Sequence, residues 1–167
     1  MHRLGALMTL MLSIAVIASC DDSTALDNYH NLPGGCWNRE DTMTFSTDTI
    51  ARTGVYGECI GIRLSNDYPF ANLSLIVEQT VYPRGTVRID TVHCSFTDER
   101  GRLSGTGLSF RQYEFPIAAI SLCKGDSLHA KIRHDMRQET LPGIADIGFR
   151  VSMSPRPAFP LRDCRGI

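Results

Sequence analysis

Apolar and polar residues alternate with a period of two along most of the chain after residue 50. Tyr56, Ile60, Ile62 and Leu64 fall on one phase of Val55–Leu64, and Leu73, Leu75 and Val77 on one phase of a stretch reaching Tyr82. Such spacing puts apolar side chains on one face of a strand. Pro83-Arg84-Gly85 then predicts a turn. Val87 and Ile89 share one phase and Val92, Cys94 and Phe96 the other, which predicts a bulge or a break into two strands. Asp98–Gly101 reads as a turn, with Gly105 and Gly107 in a loop that needs positive φ. Glu114–Cys123 is a further strand, set near an edge or bend by Pro116. After a tight connection at Lys124-Gly125-Asp126, Leu128, Ala130, Ile132, His134 and Met136 alternate with polar residues. Ala145, Ile147, Phe149, Val151 and Met153 line one face of a last strand. Short alternating strands separated by turns predict an all-β fold, an antiparallel, jelly-roll-like β-sandwich over 36–154. Pro155, Pro157 and Pro160 mark 155–167 as an irregular tail.

The first residues break this pattern. Behind Met1, His2 and Arg3, Leu4–Ala18 is almost wholly apolar and uncharged. That length suits a signal sequence and falls short of the ~20 residues of a spanning helix. The run closes in Ile17-Ala18-Ser19-Cys20, an aliphatic residue, two small ones and a cysteine, which is a lipobox. Residues 1–19 are then a lipoprotein signal peptide. The Cys20 thiol becomes a thioether to diacylglycerol and its freed amine is acylated, and two or three chains anchor stably where one does not. The competing reading is an ordinary secretory signal cut before Ser19. Residues 20–35 are expected to tether the domain to the membrane, Asp21–Asn28 being polar and small.

Composition narrows the picture. Removing 19 of 167 residues leaves a chain long enough for one cored domain. The precursor carries 17 basic and 18 acidic residues, and no basic run marks a nucleic-acid partner. Beyond Cys20 there are five cysteines, Cys36, Cys59, Cys94, Cys123 and Cys164. Disulfides are permitted outside the cytoplasm, yet five is odd, so at most two bridges form. Buried free thiols compete at several of these positions, and the spacing assigns no pairs.

Specific catalytic motifs are missing: no HExxH, GxSxG, P-loop or dinucleotide fingerprint occurs, and no metal or cofactor is expected. His129 and His134, five apart, point to opposite faces of one strand and do not share a metal. A second class of function is glycan binding by exposed aromatics, with Trp37, Tyr29, Tyr68, Phe70 and Tyr82 as candidates.

Several stretches together resemble the gliding-motility lipoprotein H family (GldH) of Bacteroidota. They are the lipobox, Tyr29, Trp37, a strand ending in Ile62-Arg63, "YPFANL" (68–73), "GRLSGTG" (101–107, with Leu103 where the family often has tryptophan) and "DMRQETLPGIADIGFRV" (135–151). The positions matching its motifs are Trp37, Tyr68, Pro69, Phe70, Asn72, Leu73, Met136, Arg137, Gly143, Asp146 and Gly148. The resemblance implies a small lipid-anchored protein, without enzymatic activity, that works with other envelope proteins of the gliding and type IX secretion machinery. It implies an envelope location, with the outer membrane favoured over the inner; Asp21-Asp22 after the cysteine resembles a short surface-export signal of that phylum. The plain reading of Tyr68-Pro69-Phe70 is a turn whose aromatics close one end of the sandwich, and of Asn72 a side chain satisfying a backbone group.

Overall fold

The period-two stretches become strands of two facing sheets in the computed structural model, which describes residues 23–107 and 109–154. The strands among them are β1 (Thr24–Asn31), β2 (Cys36–Asn38), β3 (Met43–Ser46), β4 (Gly54–Ser65), β5 (Asn72–Tyr82), β6 (Thr86–Ser95), β7 (Phe110–Pro116), β8 (Ile120–Leu122), β9 (Ser127–His134), β10 (Thr140–Pro142) and β11 (Ile144–Met153). One sheet runs β1-β11-β4-β7, with β8 also on β4; the other runs β3-β9-β5-β6; β2 and β10 form a small ribbon. All pairings are antiparallel. The two orders are those of a jelly roll, the chain passing from sheet to sheet. The core lies between the sheets, where Phe45, Phe149, Ile60, Leu75, Ile132 and Phe96 are buried, each worth ~1.5–3 kcal/mol on leaving water.

Four expectations are corrected. The tether over 20–35 shortens, because Thr24–Asn31 is an edge strand paired with β11. The Tyr29 ring explains the pairing. It lies across Gly61 and Gly148, where an added Cβ would stand 2.3 Å from its atoms, so two glycines make a trough for one aromatic. Between Val87 and Phe96 there is neither bulge nor break. The β5–β6 register is unbroken from Asn72↔Ser95 to Val81↔Thr86. Val87 and Ile89 face solvent instead, and Arg88 and Asp90 share the inward phase of Cys94. The strand expected over Glu114–Cys123 is two. Proline has no N–H for the ladder, β7 ends at Pro116, and the chain rejoins β4 only at Ile120↔Tyr56. Ala145 is no core residue: the register shifts between Ile144 and Asp146, and Ile144 is buried in its place.

Elsewhere the alternation holds. Leu128, Ala130, Ile132 and His134 of β9 are buried, and His129 points out. The signal peptide, Cys20 and the tail from Pro155 lie outside the described residues. Among the described residues no helix is long and apolar enough to cross a membrane.

Candidate functional site

β4 runs the length of its sheet, and chemistry collects at its two ends. Beyond its C-terminal end, the β4–β5 loop carries Tyr68-Pro69-Phe70. The Tyr68 ring stands edge-on to Phe70 and Phe96, centroids 5.6 and 5.4 Å away. Its hydroxyl donates to the Asn72 carbonyl at 2.8 Å, so the Asn72 backbone is used and its side chain is exposed. Burial pushes the Tyr68 hydroxyl above its ordinary pKa. Gly143, at φ +81, backs onto the Tyr68 backbone, where a Cβ would meet the Tyr68 nitrogen at 2.2 Å. Only glycine fits there, which ties the two long motifs together.

The β2–β10 ribbon closes the same end. Trp37, opposite Leu141, is wholly buried; it donates to the Asp41 carbonyl at 2.9 Å and meets the His134 ring edge-on at 5.4 Å. A tryptophan so placed plugs the core and offers no face to a sugar. Burial, then the nearby Arg39 charge, hold His134 below its ordinary pKa. Arg39 donates to the Met136 carbonyl. Phe70, Asp135, Met136, Arg137 and Gln138 line a cavity of about 350 Å³. Pro69 and Arg137 are exposed, as are Leu103 (50 %) and Phe110 (49 %); Phe110 pairs with Ser65 at the end of β4. Leu73 is buried in the core. Asp146 and Gly148 are not part of this end. They sit on the outer face of the first sheet, where Asp146 accepts from Arg63 at 2.9 Å and from Asn31 at 3.2 Å, and Gly148 lies under Tyr29.

The opposite end holds a polar cluster that the sequence reading missed. Glu58 of β4, Gln79 of β5 and Arg88 of β6 meet between the sheets. Gln79 Nε2 donates to Glu58 Oε1 at 2.8 Å, and Arg88 pairs with Glu58 Oε2. Arg88 also reaches Asp90 at 2.7 Å and the Ala118 and Ala119 carbonyls, both at 3.3 Å. Burial raises the Glu58 carboxyl to about 7 against the opposing pull of Arg88. Beside this cluster is a cavity of about 520 Å³ lined by Val55, Gln79, Val81, Arg84, Arg88 and Ile120, among others. The legible signal was polar residues on the apolar phase: Glu58 in step with Tyr56 and Ile60, Gln79 in step with Val77 and Val81.

Of the five cysteines proposed for bridges, Cys36, Cys59 and Cys94 carry free thiols, and Cys123 is disulfide-bonded. The free three cannot pair, being on the ribbon, the outer face of one sheet and the inner face of the other. Burial pushes the Cys94 thiol up to about 12. Among the described residues no three His, Cys, Asp or Glu side chains cluster as a metal site.

The model of the GldH lipoprotein family matches residues 24–151 of this chain, from the first strand to the last. The chain belongs to the GldH lipoprotein family. It is similar to the gliding motility lipoprotein GldH of Flavobacterium johnsoniae, 29% identical over 150 residues that cover 85% of this chain and 92% of that protein. It is equally similar to a gliding motility lipoprotein GldH homolog of Christiangramia forsetii, 29% identical over 163 residues, 92% and 99% of the two chains. Among solved structures, Eiger TNF from S. frugiperda overlaps at a TM-score of 0.39 and 13% identity, covering 84% of this chain and 99% of that one. Dimeric latent PorU from Porphyromonas gingivalis overlaps at 0.37 and 11%, covering 78% and 13%. Overlaps this loose leave the fold to be judged on the strands themselves. Membership of a lipoprotein family means a lipid-anchored protein of the cell envelope.

Proposed function

We propose that this chain is a non-catalytic envelope component that serves gliding motility or type IX secretion by presenting the Tyr68–Arg137 end of its sandwich to other envelope proteins. The observation that carries the reading is the family match, which takes in every strand and begins four residues after the lipobox cysteine. The surface at that end favours protein contact: Leu103, Phe110, Pro69 and Arg137 are all exposed, the mixed apolar and arginine character of protein interfaces. Both oxygens of Glu58 are engaged, and the Cys94 thiol is buried, so neither is presented to a substrate.

Three experiments test this. Cys20→Ser is expected to abolish lipidation, leaving unprocessed precursor, while the wild type enters the detergent phase; wild-type protein in the aqueous phase overturns the anchor. Deleting the gene in a gliding host should stop gliding or type IX secretion. Crosslinking in cells should capture envelope proteins through the wild type and fewer through Arg137→Glu. Unchanged motility and secretion, or a specific hit on a glycan array with no envelope partner, would count against the assembly role.

A further inference from the structure

We propose that the free edge of β6 and the cavity behind it form a docking site for an extended segment of another envelope protein. The segment adds to β6 as a further strand. It drops one neutral side chain, apolar in body and with a hydrogen-bond donor at its tip, into the cavity. The cavity lies at the end of the sandwich opposite Tyr68, so the site is separate from the surface proposed there.

Among the described residues β6 is the longest of the strands at the sheet edges, ten residues against eight in β1, seven in β7 and four in β3. Thr86–Ser95 pairs with β5 along its whole length, and no described strand pairs with its other side. Alternate residues of such a strand turn their N–H and C=O groups outward, open to a further strand. Edges are commonly guarded by proline, lysine, a bulge or inward charges. β6 has no proline, lysine or bulge, and its inward charges, Arg88 and Asp90, are spent on each other and on Glu58. On the outward phase Val87 and Ile89 are exposed, apolar neighbours for the side chains of an added strand.

The cavity states what should enter it. Thr86, Val87 and Arg88 form one wall of its 520 Å³, so it lies along the start of the free edge. Val55, Val81 and Ile120 make it apolar. Its charges are already matched, Arg84 with Asp126 and Arg88 with Glu58 and Asp90, so a charged occupant would be buried unpaired. Gln79 also lines it, and its Oε1 is buried without a hydrogen-bond partner, an acceptor that an incoming hydroxyl or amide would satisfy. A tyrosine side chain has this form, a flat apolar ring with a donor at its tip.

The anchor argues against a second copy as the occupant. β6 begins at the end that carries Thr24: Arg84 pairs with Asp126, whose carbonyl accepts from Ile50 N at 2.7 Å, and Ile50 shares a cavity with Ser23 and Thr24. Two copies paired antiparallel through β6 would put their Thr24 ends at opposite ends of the joint sheet. With Cys20 lipidated as proposed, two copies standing on one membrane cannot do this.

The test uses the full lipidated chain in detergent micelles and a synthetic heptapeptide, lysine-threonine-valine-tyrosine-valine-threonine-lysine, capped at both ends. Without peptide, about half the amides of β6 should exchange as fast as those of loops. Millimolar peptide should slow them at least tenfold. Alanine in place of the peptide's tyrosine should weaken binding by roughly tenfold or more, and phenylalanine by about fivefold. Gln79→Met should erase the preference for tyrosine over phenylalanine. Ile89→Lys, an exposed change that should leave the Tm in place, should weaken binding at least tenfold, and Arg137→Glu should bind as the wild type does. Slow exchange along all of β6 before peptide is added would mean that the edge is already covered, and would overturn the proposal. So would a tyrosine peptide that does not bind, binding that Ile89→Lys leaves intact or Arg137→Glu removes, or a dimer of the chain that Ile89→Lys dissolves. Equal binding of the tyrosine and phenylalanine peptides would overturn the part assigned to Gln79.

Discussion

Glu58 sits between two sheets with a carboxyl raised to about 7, because burial disfavours its charge more than Arg88 and Gln79 favour it. In the unfolded chain the same group titrates near 4.5. Folding therefore takes up a proton between these values. The stabilising share of this group is fully present below pH 4.5 and is lost as pH rises to about 7. His134 works the other way: held neutral by burial, its share is gained as pH rises through its lowered pKa toward 6.5. The clean measurement is thus a difference. Denaturant melts of the wild type and Glu58→Gln from pH 4.5 to 7.5 should show the variant gaining on the wild type by up to roughly 3 kcal/mol as pH rises. A difference that stays constant across that range would mean that Glu58 is not the titrating group.

β6 shows how an element can be legible and still be misread. Its length and end points follow from the turn at Pro83–Gly85 and from apolar residues as far as Phe96. Its facing does not, because alternation reports only which residues differ, and the inference that apolar means inward fails where a buried ion pair takes the inner positions. Arg88 and Asp90 point in, and Ile89 is 63 % exposed. Two neighbouring substitutions therefore part company. Ile89→Thr should change stability by no more than about 0.5 kcal/mol, as exposed positions do. Arg88→Met strips the buried Glu58 of its cation and should cost ~3–5 kcal/mol at pH 8, where that carboxyl is charged. Urea melts of both decide the facing: a large loss for Ile89→Thr with a small one for Arg88→Met would reverse it. β1 was misread for a related reason. Its polar sequence carries no inward phase, and it pairs because Gly61 and Gly148, far away in sequence, leave room for Tyr29. The β9, β5 and β4 cores were legible because one uninterrupted phase of each is buried. Of the candidate site, the residues were legible as motifs, but not their division between the Tyr68 end and the outer face, which depends on strand register.

At the scale of the whole molecule, the early start of β1 predicts an orientation for a protein anchored at Cys20. With Cys20 lipidated as proposed, only Asp21, Asp22 and Ser23 separate the lipid from Thr24, a reach of roughly 10–15 Å. Thr24 pairs with Ser152, and Ser23, Thr24, Thr49 and Ala51 line a common cavity, so a lipid on Cys20 would hold this end of the sandwich at the bilayer. It is the end that also carries Val55, the cavity beside Glu58 and the Cys123 loop. β4, twelve residues long and about 40 Å from end to end, would then carry Tyr68, Phe110 and Arg137 away from the membrane, to where a partner could meet them. A short anchor and a long strand would thus put the surface proposed to meet partners beyond the headgroups. Ala51 and Pro69, both exposed, mark the two ends. A fluorophore placed on Ala51→Cys of the lipidated protein in vesicles should be quenched by headgroup spin labels, and one on Pro69→Cys should not, with Cys36→Ser as the common background to remove the exposed thiol. Quenching at Pro69, or equal quenching at both, would mean that the sandwich lies down on the bilayer and that the Tyr68 end is not the surface offered to partners.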